Sequence, residues 1–503
     1  MSTLRRNVLY NVGGQGLLMV LGLVAVRLVF RQLGPDAFGL ILFAQSMGLV
    51  LASVLELGIS ATTVREVAAH INDDRDYVWA LLGTATLFYW GAYAVVTLTV
   101  IAAAPLLVSH WLTVTTMDPA SAARMVQVLA AGALLALPRS LYSSLFRGVQ
   151  RMGVTNGIEV GAIVAQLLGT IVILTLRGSA IGVAWWFTAS YAVSVLVYLA
   201  MSHQVGVPVW ALLPRYVPAV VRKNLRFALH MMSISALGTV HGQSDKLLVS
   251  KLLPVRALGT YGFAATMVAG ASRLVSSVVQ AAFPAFAGHA RQRDRAELMR
   301  RYRRVHALIT FAAVPLFAAV VFAAEPVLRY AFDPAIARGL MLPTAFLCLG
   351  SYMNATLSAP YIVSLALGRP DITTRQNFYA LFVVLPLAAV CVWRFGLVGA
   401  GFSWVIYHLF AYAYGLPRVC RECLELAPGT WFLGVLRIMG LAAAFYGPGY
   451  LVASALGSSA LALTIGFGVS SVGYAGVGYL SLGRELRNAV GQIAGERRKD
   501  FAA

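Results

Sequence analysis

Charged and amide side chains occur inside several long apolar stretches of this chain, and they have the chemistry to act on a ligand. One set carries a positive charge or an amide and comprises Arg139, Lys246, Arg273, Asn11 and Gln15. A second set can titrate and comprises Asp245, His241, His230 and Glu56. Guanidinium and ammonium groups would bind an anionic group, whereas a carboxylate or an imidazole could carry a proton or hold a small cation.

The seventh apolar stretch holds the densest group of these residues. Because a helix has about 3.6 residues per turn, four of its positions return to nearly the same face: His230, Gly238, His241 and Asp245. Lys246 lies next to them. The pattern predicts a face directed at water or substrate. An internal pair between Asp245 and Lys246, or between Asp245 and a histidine, is the alternative, with a structural role only.

The other candidates lie on separate stretches. Arg273 lies in the middle of the eighth stretch, where it either pairs with Glu56 of the second stretch or binds an anionic substrate group. Arg139 follows a proline, which we expect to kink the fourth stretch and turn Arg139 towards a cavity. Asn11 and Gln15 predict either a hydrated, sugar-contacting wall of the first stretch or hydrogen bonds between helices.

Composition places these residues in membrane-spanning helices. Hydrophobic residues make up 59% of the 503 residues, and charged residues make up 12%. A hydrocarbon layer about 30 Å thick is crossed by roughly 20 apolar residues, and the chain supplies such segments about fourteen times. We therefore predict an all-α polytopic membrane protein with about 14 transmembrane helices, the second of them continuous over Gly39–Thr63.

The same pattern excludes other classes of protein. Membrane β-barrels need strands that alternate with period two. Nucleic-acid binding is discounted despite the net charge of +20, because Lys and Arg collect in alternate connections. This asymmetry predicts that both termini are cytoplasmic. Cys420 and Cys423 form a lone C-x-x-C pair, so neither a metal site nor another cofactor is expected. The first stretch is too long for a signal-peptide core, so we expect it to remain as a helix.

Two sequence matches at nearly the same offset indicate an internal duplication. Arg5–Tyr10 is similar to Arg222–Phe227, and Gly39–Ala44 is similar to Gly259–Ala264. We predict two six-helix lobes related as parallel repeats, an arrangement typical of transporters that open a central cavity to alternate sides. The predicted boundaries are 1–203 for helices 1–6, 204–224 for a cytoplasmic connection, 225–419 for helices 7–12, and 420–503 for helices 13–14 and a basic cytoplasmic tail.

Short motifs at the ends of these stretches have a familiar form. They are Arg31-Gln32-Leu33-Gly34-Pro35-Asp36-Ala37-Phe38-Gly39, Leu57-Gly58-Ile59, Arg65-Glu66-Val67-Ala68, Asp245-Lys246 and Leu258-Gly259-Thr260-Tyr261. The set resembles the Wzx-type polysaccharide and O-antigen flippases of the multidrug/oligosaccharidyl-lipid/polysaccharide exporter superfamily. The first 70 residues carry the most specific part, and length and span count extend the resemblance over the whole chain.

The resemblance implies a transporter, not an enzyme, in the bacterial inner membrane. Its implied cargo is an oligosaccharide repeat unit on an undecaprenyl-diphosphate carrier, destined for surface or exported polysaccharide. Arg139, Lys246 and Arg273 would then bind the diphosphate, and the last two helices would border a groove for the lipid tail. A coupling ion, H+ or Na+, and a polymerase or other polysaccharide-assembly proteins are the further partners expected.

Three alternatives remain open from the sequence. A cation-coupled drug antiporter of the same superfamily would use the carboxylates Glu56, Glu159 and Asp245. A peptidoglycan-precursor flippase would share the lipid carrier. A membrane enzyme of polysaccharide assembly is disfavoured, because no large loop or nucleotide-sugar domain lies between the apolar stretches.

Overall fold

The computed structural model describes residues 20–291 and 294–481. Asn11 and Gln15 lie outside these ranges. His230 lies within a helix, but only its backbone is described. Within the described ranges the chain is helical apart from short connections, with one isolated bridge between Thr113 and Pro254 and no strand. The all-α prediction is confirmed.

Nine helices make up the first part of the described chain. Helix α1 is described over 20–32. It is followed by α2 (Pro35–Leu55), α3 (Ile59–His70), α4 (Arg75–His110), α5 (Pro119–Leu134), α6 (Ala136–Gly148), α7 (Met152–Thr175), α8 (Ala180–Met201) and α9 (Pro218–Leu252).

Six further helices complete it. They are α10 (Val255–Arg291), α11 (Arg295–Ala331), α12 (Pro334–Ala366), α13 (Asp371–Arg418), α14 (Pro428–Ala455) and α15 (Ala460–Ser481). Helix α13 contains a non-helical residue, Gly396, with φ 58° and ψ −132°, and this residue separates the predicted eleventh and twelfth spans, at 376–393 and 397–416. Within the described ranges, the predicted spans correspond to helical structure.

Ten helical segments of the described chain are long and apolar enough to cross a membrane. They make the protein a multi-pass membrane protein. Helices α9 and α10, with 35 and 37 residues, are long enough to cross a membrane but are not among those ten apolar segments. The predicted candidates His241, Asp245, Lys246 and Arg273 all lie on these two helices.

The second span differs from its prediction as one continuous helix over Gly39–Thr63. Helix α2 ends at Leu55 and α3 begins at Ile59, because Leu57 and Gly58 have positive φ values of 49° and 67°. Glycine takes this conformation without a steric penalty, whereas leucine is strained in it. A Cβ atom at Gly58 would also overlap the carbonyl group of Ala228 on α9, so glycine is needed there for packing as well.

The fourth span is also divided, as the proline before Arg139 predicts. Helix α5 ends at Leu134 and α6 begins at Ala136, which places Pro138 in the first turn of α6. Proline lacks a backbone N–H and is tolerated in a first turn, where that donor has no partner within the helix.

The described residues belong to two compact units, Leu4–Gly259 and Thr260–Ala503. The core of the first unit includes the fully buried side chains of Leu82, Tyr89, Phe146 and Tyr198. In the second unit α11 packs against α12 and α15, with Phe311 and Tyr474 stacked at 4.6 Å between ring centroids. Helix α9 packs within the first unit, against α2, α3 and α4. The lobe boundaries drawn from the repeats stay a prediction.

Candidate functional site

The two broken spans of the first unit meet at their breaks. Ser60, in the first turn of α3, donates a hydrogen bond to Ser140 of α6 at 3.1 Å. The Ser60 hydroxyl also lies 3.0 Å from the Tyr89 hydroxyl, which donates to the backbone carbonyl of Glu56 at 3.2 Å. A helix break leaves backbone groups without intrahelical partners, and hydroxyl groups here supply a replacement.

Glu56 caps the C-terminal end of α2 at this break and is half-buried. The carbonyl end of a helix carries partial negative charge, so a cation beside the Glu56 carboxylate is favoured by the helix dipole. The ion pairs found in the described ranges do not include Glu56. The role of Glu56 in ion coupling stays a prediction.

Arg139 directly precedes Ser140 in the chain and forms an ion pair with Glu159 of α7. Its side chain is 16% exposed, and that of Glu159 is 30% exposed. The Tyr198 hydroxyl donates to Glu159 at 3.3 Å, and the Tyr191 ring lies 5.6 Å from the guanidinium carbon. We call the set of Glu56, Ser60, Tyr89, Arg139, Ser140 and Glu159 the polar belt. It places one cation and two carboxylates beside two helix breaks.

The candidates on α9 form a second group. His241 and Asp245 are buried, with 4% and 6% of their surface exposed. The Lys246 ammonium lies 3.4 Å from the Asp245 carboxylate and 3.5 Å from the carbonyl oxygen of Gly242. This is the internal Asp–Lys pair that the sequence left open as an alternative to a substrate-facing stripe.

Arg273 lies on α10 in the second compact unit, where its side chain is exposed. The structure thus brings Glu56 and Arg139 into the polar belt and groups His241, Asp245 and Lys246 on α9. The assignment of all nine candidates to cargo or ion binding stays a prediction.

A further charged cluster ties α9 to α3 and α4 near their predicted cytoplasmic ends. Glu66 of α3 is 5% exposed and accepts hydrogen bonds from Arg65 at 2.8 Å and from the Tyr77 hydroxyl at 2.8 Å. Asn224 of α9 donates to the Tyr77 hydroxyl at 2.9 Å and accepts from Arg65 at 2.9 Å. The Lys223 ammonium lies 3.6 Å from Glu66. We call these five residues the inner cluster.

Glu66 is held in its charged form by this arrangement. Burial alone would raise the pKa of the Glu66 carboxyl, but hydrogen bonds from Tyr77 and Arg65 and the charges of Arg65 and Lys223 lower that pKa below its ordinary value. The cations also lie over aromatic rings, Lys223 at 3.8 Å from the Tyr77 centroid and Arg65 at 3.8 Å from that of Phe227.

The opposite end of α9 is joined to the connection that follows α4. Trp111 donates to the Ser250 hydroxyl at 3.0 Å, and the Lys251 ammonium donates to the carbonyl oxygen of His110 at 2.7 Å. The backbone N–H of Val255 donates to the carbonyl oxygen of Thr113 at 2.9 Å. We call these contacts the outer cluster. The same connection is anchored by Asp36, which accepts backbone hydrogen bonds from Thr115 and Thr116.

Reasoning from the sequence did not assign a functional role to the inner cluster. Its residues were visible in two motifs, Arg65-Glu66 at the end of the second span and Lys223-Asn224 before the seventh. The missing information was their proximity, since 159 positions separate Arg65 from Asn224. Glu159 was also recognisable as a charged residue within a span, but not as the partner of Arg139.

Known proteins share both sequence and architecture with this chain. The model of the family described as "Polysaccharide biosynthesis protein" matches residues 4–289. A candidate O-antigen transporter of Shigella flexneri is 20% identical over 409 residues, which cover 80% of this chain and 94% of that protein.

Two solved structures have a similar architecture. The lipid II flippase MurJ, in an inward closed conformation, superimposes with a TM-score of 0.73 at 11% identity, over 95% of this chain and 100% of that chain. A multidrug resistance MATE transporter of the MOP superfamily, in an inward-facing conformation, superimposes with a TM-score of 0.64 at 15% identity, over 80% of this chain and 95% of that chain. At these identities the matches establish a common fold.

The family model covers more than half of the chain, and it includes the polar belt and both clusters at the ends of α9. The fold is that of the superfamily which the sequence motifs resemble. This multi-pass membrane protein therefore belongs to the polysaccharide biosynthesis protein family.

Proposed function

We propose that this protein moves undecaprenyl-diphosphate-linked oligosaccharide repeat units across the bacterial inner membrane by alternating access, with both termini in the cytoplasm. Family membership and the similarity to a candidate O-antigen transporter support a role in polysaccharide export. A fold shared with the lipid II flippase MurJ supports a lipid-linked cargo.

The observation that carries this proposal is the Arg139–Glu159 pair beside the broken spans. A guanidinium at this depth needs an anionic partner, and Glu159 supplies one while remaining partly exposed. An incoming diphosphate is also negatively charged, and its oxygens can accept two parallel N–H bonds from arginine. The cargo would replace Glu159 at Arg139, so the site would never hold an uncompensated cation.

The other predicted residues have complementary roles in this proposal. Lys246 and Arg273 supply further positive charge for the diphosphate, and Asn11 and Gln15 contact the sugars. Glu56, Asp245, His241 and His230 carry the coupling ion, H+ or Na+. The transported units would pass to a polymerase or other polysaccharide-assembly proteins on the outer side.

The test is a strain that lacks this gene, complemented with variants. We expect loss of surface polysaccharide and accumulation of lipid-linked repeat units in the inner leaflet, both reversed by the native gene. Arg139→Ala should fail to complement, and Arg139→Lys should complement partly, because an ammonium keeps the charge but loses the paired N–H bonds. Arg329→Ala is the matched control, since it removes an arginine–glutamate pair at a helix end.

A drug antiporter is the second candidate, and the half-buried carboxylate of Glu56 together with the MATE fold favours it. The same strain separates the two functions. Normal surface polysaccharide with new sensitivity to cationic dyes would replace the flippase proposal by the antiporter. Loss of viability with accumulated peptidoglycan precursor would replace it by a precursor flippase.

A further inference from the structure

Helix α9 is attached at both ends to the helices of the first unit. Its 35 residues measure about 52 Å, so both ends extend beyond a hydrocarbon core about 30 Å thick. The inner cluster joins its first turns to α3 and α4, and the outer cluster joins its last turn to the connection after α4. Asn224 and Ser250 lie roughly 40 Å apart along the helix axis.

We infer that the two clusters are alternating latches of the transport cycle, with Glu66 as the central residue of the inner latch. This inference rests on the proposed function, because only a protein that opens to alternate sides needs two releasable ends. In this structure both latches are closed around α9. Opening to the cytoplasm would break the inner cluster, and opening to the outside would break the outer cluster.

The composition of the inner cluster suits a contact that forms and breaks repeatedly. The side chain of Glu66 is 6% exposed, whereas those of Arg65 and Lys223 are 42% and 51% exposed. Exposed ion pairs contribute little stability, so the two cations compensate the carboxylate without locking it. The bonds through Tyr77 and Asn224 are directional, and they define the closed position. When the cluster opens, water can replace each partner of Glu66.

Glycines allow close backbone contact near both latches, with α9 at the break between α2 and α3 near the inner latch and with the first turns of α10 against α2 near the outer latch. A Cβ atom at Gly58 would overlap the carbonyl group of Ala228 near the inner latch. A Cβ atom at Gly39 would overlap the carbonyl group of Val255 near the outer latch, and Gly259 approaches the backbone of Gly39. Gly39 and Gly259 are equivalent positions of the predicted repeats. Such backbone contact leaves few interlocked side chains to separate when one end opens.

The experiment measures each end of α9 by pulsed electron paramagnetic resonance of paired spin labels in proteoliposomes without cargo. The four native cysteines are first replaced. Labels at Asp73→Cys and Arg226→Cys report on the inner end, and labels at Ala120→Cys and Arg256→Cys report on the outer end; all four positions are exposed. Glu66→Gln and Tyr77→Phe each weaken the inner latch with little change in side-chain volume.

We expect both variants to lengthen the inner distance and leave the outer distance unchanged. The ratio of closed to open inner latch should fall roughly tenfold, because each variant loses one hydrogen bond to a charged group. Trp111→Phe combined with Ser250→Ala should lengthen only the outer distance. Glu422→Gln is the matched control, because it breaks a carboxylate–arginine pair in the second unit, at Arg369, and should change neither distance.

An unchanged inner distance in both Glu66→Gln and Tyr77→Phe would overturn the inference. The result does not depend on cargo, so it is separate from the test of the proposed function. A protein whose latches open as described but which leaves lipid-linked oligosaccharide in place would overturn the flippase and keep the latches.

Discussion

At the scale of single residues, Arg139 and Glu159 have two roles that mutation can separate. Each neutralises the other, so removing one leaves a charge in a poorly hydrated position. We expect Arg139→Ala to lower the free energy of unfolding by roughly 1–3 kcal/mol, less than for a fully buried pair because Glu159 is partly exposed. Thermal unfolding in detergent measures this loss.

The double variant Arg139→Ala with Glu159→Ala distinguishes stability from cargo binding. Removing both charges should restore most of the thermal stability, since neither charge is left without a partner. Transport should remain lost if Arg139 binds the diphosphate. Recovery of surface polysaccharide in the double variant would contradict that role and leave the pair as a structural feature.

At the scale of helices, alanine at Gly58 and alanine at Gly39 should each loosen the packing at a different latch. Gly58→Ala should push α9 away from α2 near the inner latch, because a methyl group would overlap the carbonyl group of Ala228. Gly39→Ala should push the start of α10, which directly follows α9, away from α2 near the outer latch, because a methyl group would overlap the carbonyl group of Val255. Thiol labelling from each side of sealed vesicles measures which end becomes accessible.

The control for this pair is Gly238→Ala on α9, where an added methyl group meets no atom within 4 Å. It should leave labelling unchanged at both ends. Gly58→Ala also strains the backbone, because φ at this residue is 67°. Increased labelling at the outer end in Gly58→Ala would therefore contradict the geometry proposed for α9.

The sequence predicted the helices well and their interruptions only in part. Long apolar runs determine where a chain crosses a membrane, so the helical class and the places of the long helices followed from composition. The interruption at Leu135, just before Pro138, was expected as a kink because proline has a specific backbone requirement. The break at Leu57 and Gly58 was missed, since glycine is common in membrane helices and one glycine does not predict a break.

The sequence identified several residues of the candidate site by their type, but it did not show which residues contact one another. Glu56 and Arg139 were identified because charge within an apolar run is costly. Their neighbours Ser60, Tyr89 and Ser140 are ordinary residues in sequence, and only the fold brings them together. Glu66 was hidden for the opposite reason, because a charged residue at the end of a span needs no explanation until its contacts with α9 are known.

At the scale of the whole molecule, the low apolarity of α9 predicts that it depends on its neighbours to enter the membrane. Each ionised group costs about 2.5–3.5 kcal/mol on insertion at the centre of a helix and less towards its ends. Asp245 and Lys246 are adjacent in the C-terminal third of α9. We expect α9 alone to insert poorly in a glycosylation reporter assay, while α8 inserts efficiently. Placing α1–α8 before α9 should restore its insertion.

A matched control in this assay is α9 with both Asp245→Leu and Lys246→Leu, which should insert without the preceding helices. Efficient insertion of native α9 by itself would contradict the prediction. If α9 does not insert even when α1–α8 precede it, its insertion depends on α10 or on later parts of the chain.

The packing of α9 against α2 then has a consequence for biosynthesis. A helix that cannot insert by itself must enter the membrane against helices that are already there. Here those helices are α1–α8, which are synthesised before α9 leaves the ribosome. Insertion of α9 is therefore a folding step whose specificity comes from surfaces such as Gly58 and Glu66. Changes at these positions should lower the amount of correctly oriented protein in the cell, in addition to any effect on the finished transporter.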